Sequence, residues 1–164
     1  MAAKKKTRRA TAAKAARKTT ARQAPARPAR AGGVRSGALS MNTAAPSFTV
    51  DDVERSLAWY RDVLGFAVKE RWENDGRLDG VEMAAGKVSF MLGQDDWKKG
   101  RDRVKGQGVR IYCTTGQDVD RLAERVKSKG GSLAKEPTDE WGMRSLSVDD
   151  PDGYKITIAS RLKR

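Results

Sequence analysis

The 164-residue sequence predicts an α+β fold made of paired βαβββ modules, preceded by a disordered basic arm. Three observations carry that expectation. A set of residues recurs at an offset of 66: Asp52-Val53-Glu54-Arg55 matches Asp118-Val119-Asp120-Arg121, Gly65 matches Gly131, and Lys69-Glu70 matches Lys135-Glu136. Within each copy, apolar residues first follow a helical spacing and then alternate as in strands, so the repeat is a duplicated supersecondary unit and not a short-period solenoid. Charge is also partitioned. Residues 1–50 hold 12 of the 34 Lys and Arg and no Asp or Glu, which leaves 22 basic and 21 acidic residues in 51–164. The net charge of +13 therefore belongs to the arm, and the domain that follows is close to neutral.

In the first copy, Ser47-Phe48-Thr49-Val50 alternates as a strand. Asp51 then offers an N-cap, with Glu54 three residues later completing a capping box. Val53, Leu57, Tyr60 and Leu64 recur at helical spacing, and Gly65 stands where a helix stops. Three strands follow, Phe66 to Trp72, Gly80 to Ala84 and Lys87 to Leu92, divided by the turn signals Asn74-Asp75-Gly76 and Ala85-Gly86. The second copy repeats the plan: Val109 to Thr114 as a strand, then a helix capped by Asp118 with Val119, Leu122, Ala123 and Val126 inward, then a Gly130-Gly131 stop. The last strands form a hairpin in which Leu146, Val148, Ile156 and Ile158 share one face, with Asp150-Pro151-Asp152-Gly153 as its turn. The expected domain covers residues 46–160, with modules at about 46–94 and 107–160 and a charged, solvated connector from Gln94 to Gln107.

Residues 1–45 form the arm. Its Ala, Lys, Arg and Thr cannot bury enough apolar surface to offset chain ordering. Lys4, Lys5, Lys6, Arg8, Arg9, Lys14, Arg17, Lys18 and Arg22 make it a candidate nucleic-acid or polyanion contact through counterion release. A solubilising extension and a true start at Met41 are the alternatives, and no aromatic interleaves the charges to stack on bases. Residues 1–40 contain only Met1, Val34 and Leu39 as large apolar residues, so no signal peptide or membrane span is expected. The single cysteine, Cys113, excludes an internal disulfide framework and fits a reducing compartment. A cytoplasmic protein is the expectation.

The helix Ser56-Leu57-Ala58-Trp59-Tyr60-Arg61-Asp62-Val63-Leu64-Gly65-Phe66, the segment Trp141-Gly142-Met143-Arg144 and the turn Asp150-Pro151-Asp152-Gly153-Tyr154, set in two βαβββ modules, resemble the vicinal oxygen chelate superfamily. That family includes glyoxalase I, extradiol dioxygenases and bleomycin resistance proteins, and Trp-Gly-Met-Arg leans towards the last. The resemblance implies a cleft-shaped mixed sheet and a homodimer. Metal-dependent members place four ligands, usually His and Glu, on the cleft-facing strands. By motif those positions fall at Ala45, Met91, Arg110 and Thr157. None is a usual ligand for Zn, Ni or Fe, and the sequence contains no histidine. Metal-dependent glyoxalase or dioxygenase chemistry is therefore disfavoured, no cofactor is expected, and no catalytic residue is assigned. Glu82, Asp75 and Asp79 show no pairing suited to acid–base work.

Strand parity places Ser47, Thr49, Ser89, Met91, Arg110, Tyr112, Thr114, Lys155 and Thr157 on the faces away from the helices. The expected ligand-binding set is Ser47, Thr49, Met91, Arg110, Tyr112, Trp141 and Thr157. Arg110 and Tyr112 would hold an anionic or carbonyl-bearing group, and Trp141 would stack on it. The alternatives are an Arg110 ion pair with Glu82 or another strand carboxylate, and a core or dimer-interface role for Trp141. Cys113 is expected to face the helices as a small buried hydrophobe. The resulting expectation is a metal-free small-molecule-binding protein, with a nucleic-acid-associated protein and a metal-independent lyase or isomerase as alternatives.

Overall fold

The computed structural model describes residues 39 and 41–162, so the basic residues of the arm lie outside the described residues. A compact unit begins at Met41. Its first module runs β1 (Ser47–Val50), α1 (Val53–Trp59) continued by a π-helical turn (Tyr60–Leu64), β2 (Ala67–Asn74), β3 (Arg77–Ala85) and β4 (Val88–Gln94). The second runs β5 (Arg110–Thr114), α2 (Val119–Ser128), β6 (Lys135–Glu140), β7 (Met143–Asp149) and β8 (Lys155–Arg161). Each module forms a four-stranded mixed sheet, ordered β1-β4-β3-β2 and β5-β8-β7-β6, with the first strand parallel to the last and the other pairs antiparallel. Among the described residues, no helix is long and apolar enough to cross a membrane.

The helix-facing sides of both sheets feed one hydrophobic core, from Phe48, Val50, Phe90 and Leu92 in the first module to Leu146, Val148 and Ile156 in the second. Tyr60 stands near its centre, packed edge-on against Trp59, Phe66 and Phe90. Asn74-Asp75-Gly76 is the expected hairpin turn, with positive φ at Asp75 (49°) and Gly76 (75°), the pairing that matches the twist of adjoining strands.

Two local expectations are corrected. The cap of α1 is Asp52, whose side chain accepts from Arg55 N at 3.0 Å. Asp51 is occupied elsewhere: its N–H donates to Asp152 Oδ1 at 2.8 Å. The connector is also more than a solvated crossover. Asp95 is buried and accepts from both Arg103 and Lys105, while Lys105 and Arg101 lie over the Trp97 ring, at 4.7 and 4.5 Å. Burial pulls the Lys105 ammonium below its ordinary pKa, and an adjacent pair of carboxylates, Asp95 and Asp51, gives it partners there.

The β7–β8 turn fastens the modules together. Asp150 is buried, accepts from Tyr60 Oη at 3.0 Å, and also takes the N–H groups of Asp152 and Tyr154. Asp152 accepts from Asp51 N, Ser56 Oγ (3.0 Å) and Arg55 (3.2 Å), all in the first module. Tyr154 stacks on Phe48 at 4.2 Å between centroids and donates to Thr49 O. The connector crosses this turn so closely that a Cβ at Gly106, where φ is +70°, would lie 2.2 Å from Gly153 O.

Candidate functional site

The register of the strands arranges the expected binding residues in rows on the open face of each sheet, because laterally paired residues point the same way. On the first sheet Ser47 pairs with Met91, Met91 with Glu82, and Glu82 with Glu70. On the second, Tyr112 pairs with Thr157, Thr157 with Ser147, and Ser147 with Lys135. Arg110 is next to Lys155, which pairs with Asp149 at 2.8 Å. Cys113 lies on the opposite parity, packed against the core, and burial raises its thiol pKa.

The two halves of the expected set remain on separate sheets. The modules pack through the π-helical turn, α2 and the Asp150–Tyr154 turn; among the described residues no strand of one sheet packs extensively on a strand of the other. Trp141 stands apart from both halves. It occupies the β6–β7 hairpin tip with φ at +54° and is 98% exposed, so the core alternative for it does not hold. The alternative ion pair of Arg110 with Glu82 does not form either. Glu82 accepts from Lys69 Nζ at 2.7 Å, which holds its carboxyl below the usual range.

Arg110 and Lys155 line an open cavity of about 710 Å³ together with Lys105, Gly106, Asp149 and Gly153. A second, of about 730 Å³, lies at the start of α2 between Asp118, Arg144 and Arg161. Of its two guanidinium groups, that of Arg144 is already committed, since it bonds both Asp120 and Asp139.

The four positions matched to family metal ligands do not form a metal site. Ala45 lacks a donor atom, Met91 offers only a thioether, Arg110 carries a positive charge, and the Thr157 hydroxyl is engaged with Ser147 Oγ at 2.9 Å. Among the described residues, no group of three or more His, Cys, Asp or Glu is placed to hold a metal ion.

Residues outside the expected set share the first open face. Trp72, Gly80 and Gly93 form the row next to Ser47, Met91 and Glu82, completed by Thr49 on β1. The expected strands began at Gly80 and ended before Gly93, so neither glycine stood out as interior; in β3 and β4 both are interior, a mark of close approach by another group.

A sequence model of the Glyoxalase/Bleomycin resistance protein/Dioxygenase superfamily matches residues 41–158. Lactoylglutathione lyase of Haemophilus influenzae is 29% identical over 118 residues, covering 65% of this chain and 83% of that protein. Lactoylglutathione lyase GLX1 of Arabidopsis thaliana is 26% identical over 125 residues, covering 70% of this chain and 42% of its own length. The chain thus spans less than half of the Arabidopsis relatives it matches. Among solved structures, TioX from Micromonospora sp. ML1 is similar with a TM-score of 0.60 at 19% identity, covering 73% of this chain and all of that one. TnmS3, described as an antibiotic binding protein from Streptomyces sp. CB03234, has a TM-score of 0.57 at 21% identity, covering 75% of this chain and all of that one. The chain belongs to the glyoxalase/bleomycin resistance protein/dioxygenase superfamily.

Proposed function

We propose that this protein binds a small organic molecule on its open sheet faces without a metal ion. The observation that carries the reading is the complete family scaffold with Ala45, Met91, Arg110 and Thr157 at the ligand positions, a set that cannot displace water from Zn, Ni or Fe. The similarity to TnmS3 in fold is consistent with a binding role. Ser47, Thr49 and Met91 supply one wall, and Arg110, Tyr112 and Thr157 the other. Since one chain leaves these walls on separate sheets, a homodimer completes the cleft, with Trp141 at its rim. A strongly cationic ligand is disfavoured on the second wall, where Arg110 and Lys155 stand.

The test is a tryptophan-fluorescence and calorimetric titration of the full chain against glycopeptide antibiotics, aromatic metabolites and non-aromatic controls. Saturable binding is the expected result, and silence across the panel with a folded sample would sink the reading. The lactoylglutathione lyase relatives supply a specific reason to assay that activity, with and without added metal. Lyase activity that resists chelation would favour the metal-independent enzyme instead. The charge partition favours one further role, polyanion contact by the arm. Duplex DNA affinity should then fall steeply with salt and vanish on deleting residues 1–40; salt-independent binding, or binding that survives the deletion, would reject that role.

A further inference from the structure

We propose that the open face of the first sheet is built to take a flat aromatic ring system, seated over Gly93 beside the Trp72 indole. This deepens the small-molecule reading and rests on it. The structural basis is one row across the sheet, Thr49 on β1, Gly93 on β4, Gly80 on β3 and Trp72 on β2. A Cβ at Gly80 would lie 2.8 Å from Trp72 Cε3 and 3.0 Å from Leu92 O, so a glycine there is what lets the indole cross the strand. A Cβ at Gly93 would meet nothing within 4 Å. The bare backbone floor thus continues beyond the indole under open space.

The duplicate module shows that the fold does not ask for these glycines. Its equivalent row is Thr114, Ala159, Ser145 and Thr138, with a Cβ at every position and no aromatic. Neither Gly80 nor Gly93 adopts a left-handed conformation, so backbone geometry does not demand them either. Glycine weakens a strand interior; the indole accounts for Gly80, while Gly93, beside an indole that remains 38% exposed, has no such neighbour and needs a compensating partner. The floor over Gly93 is one strand spacing wide, about 4.8 Å. A flat ring laid on that strip brings its face or edge against the indole, a contact that a saturated, polyhydroxylated ring does not match. The indole supplies a stacking face, and the Met91 thioether in the next row supplies a soft contact to a ring edge.

The test uses the full chain with two flat tricycles of opposite charge, proflavine and anthraquinone-2-sulfonate, and the saturated aminoglycoside kanamycin. At least one tricycle should bind and shift the indole N–H resonance assigned to Trp72 by its absence in Trp72→Phe. Gly93→Val fills the floor with a side chain suited to a strand, and should weaken that binding at least tenfold while the melting temperature holds. Should that variant fail to fold, Gly93→Ala, which matches the residue of the duplicate module, replaces it with a smaller expected loss. Undiminished tricycle binding in a folded Gly93 variant overturns the proposal, as does kanamycin competing for the Trp72 site. If neither tricycle binds while another compound of the wider panel does, this inference falls and the small-molecule reading stands; if nothing binds, both fall.

Discussion

Removing the Asp152 carboxylate is expected to cost the domain about 3 kcal/mol, because one buried side chain serves three donors across the module boundary. Its oxygens accept from Asp51 N at 2.8 Å, Ser56 Oγ at 3.0 Å and Arg55 at 3.2 Å. Hydrogen bonds to a charged group contribute about 1.5–3 kcal/mol each. The Arg55 contribution is discounted, since its side chain is 49% exposed while that of Asp152 is fully buried. Two bonds at the lower end give about 3 kcal/mol, because Ser56 is buried and loses its acceptor in Asp152→Ala. For a domain of this size that corresponds to a fall in melting temperature of about 12–18 °C. Asp152→Asn keeps an oxygen for Asp51 N and should lose about half as much. Thermal melts and urea titrations of both variants measure this. A loss below about 1 kcal/mol in Asp152→Ala, or equal losses in the two variants, would refute the assignment of Asp152 as the clasp between modules.

Other expectations follow from the same contacts. Burial raises the Asp150 carboxyl pKa, against the opposing bonds from Tyr154 N and Tyr60 Oη. The folded state then holds that proton more tightly than the unfolded chain. The group's contribution is complete below the ordinary carboxylate pKa of about 3.9 and is lost as pH rises through the folded value. Asp150→Asn should remove that falling component from the urea midpoint between mildly acidic and neutral pH, and a steeper fall in the variant would contradict the sign. Gly106→Ala should destabilise by at least about 2 kcal/mol, because it adds a Cβ at positive φ against the Gly153 backbone, and an unchanged melt would contradict the close crossing. Cys113 should alkylate about tenfold faster after denaturation at pH 7.5, since burial raises its pKa; equal rates in the folded protein would contradict its placement.

Much of the fold was legible because its signals are local. Asp118 caps α2, the Asn74-Asp75-Gly76 turn joins β2 and β3, and the alternation of Leu146, Val148 and Ile156 settled which face packs inward. Asp51 and Asp52 were harder to separate, because either satisfies a capping pattern. The choice is made by Asp152, 101 residues away, which claims Asp51 N–H. The connector was misread for the same reason: Asp95, Arg103 and Lys105 read as solvated charges singly and become a paired cluster around the buried Asp95 only when they meet. On the site, parity placed Met91 and Thr157 on the open faces, but the Trp72–Gly80–Gly93 row needs two strand registers at once. No single segment encodes it.

Metal-free binding of an organic ligand in the cleft can be measured directly. The direct measurement is the dissociation constant of a bound compound, taken with exhaustively chelated protein and again with added Zn²⁺ or Ni²⁺, alongside a lactoylglutathione lyase assay under both conditions. Metal-free binding requires affinities that agree within about twofold, corresponding to about 0.4 kcal/mol, and no metal-dependent turnover. Binding or lyase activity that appears only when metal is supplied would contradict it.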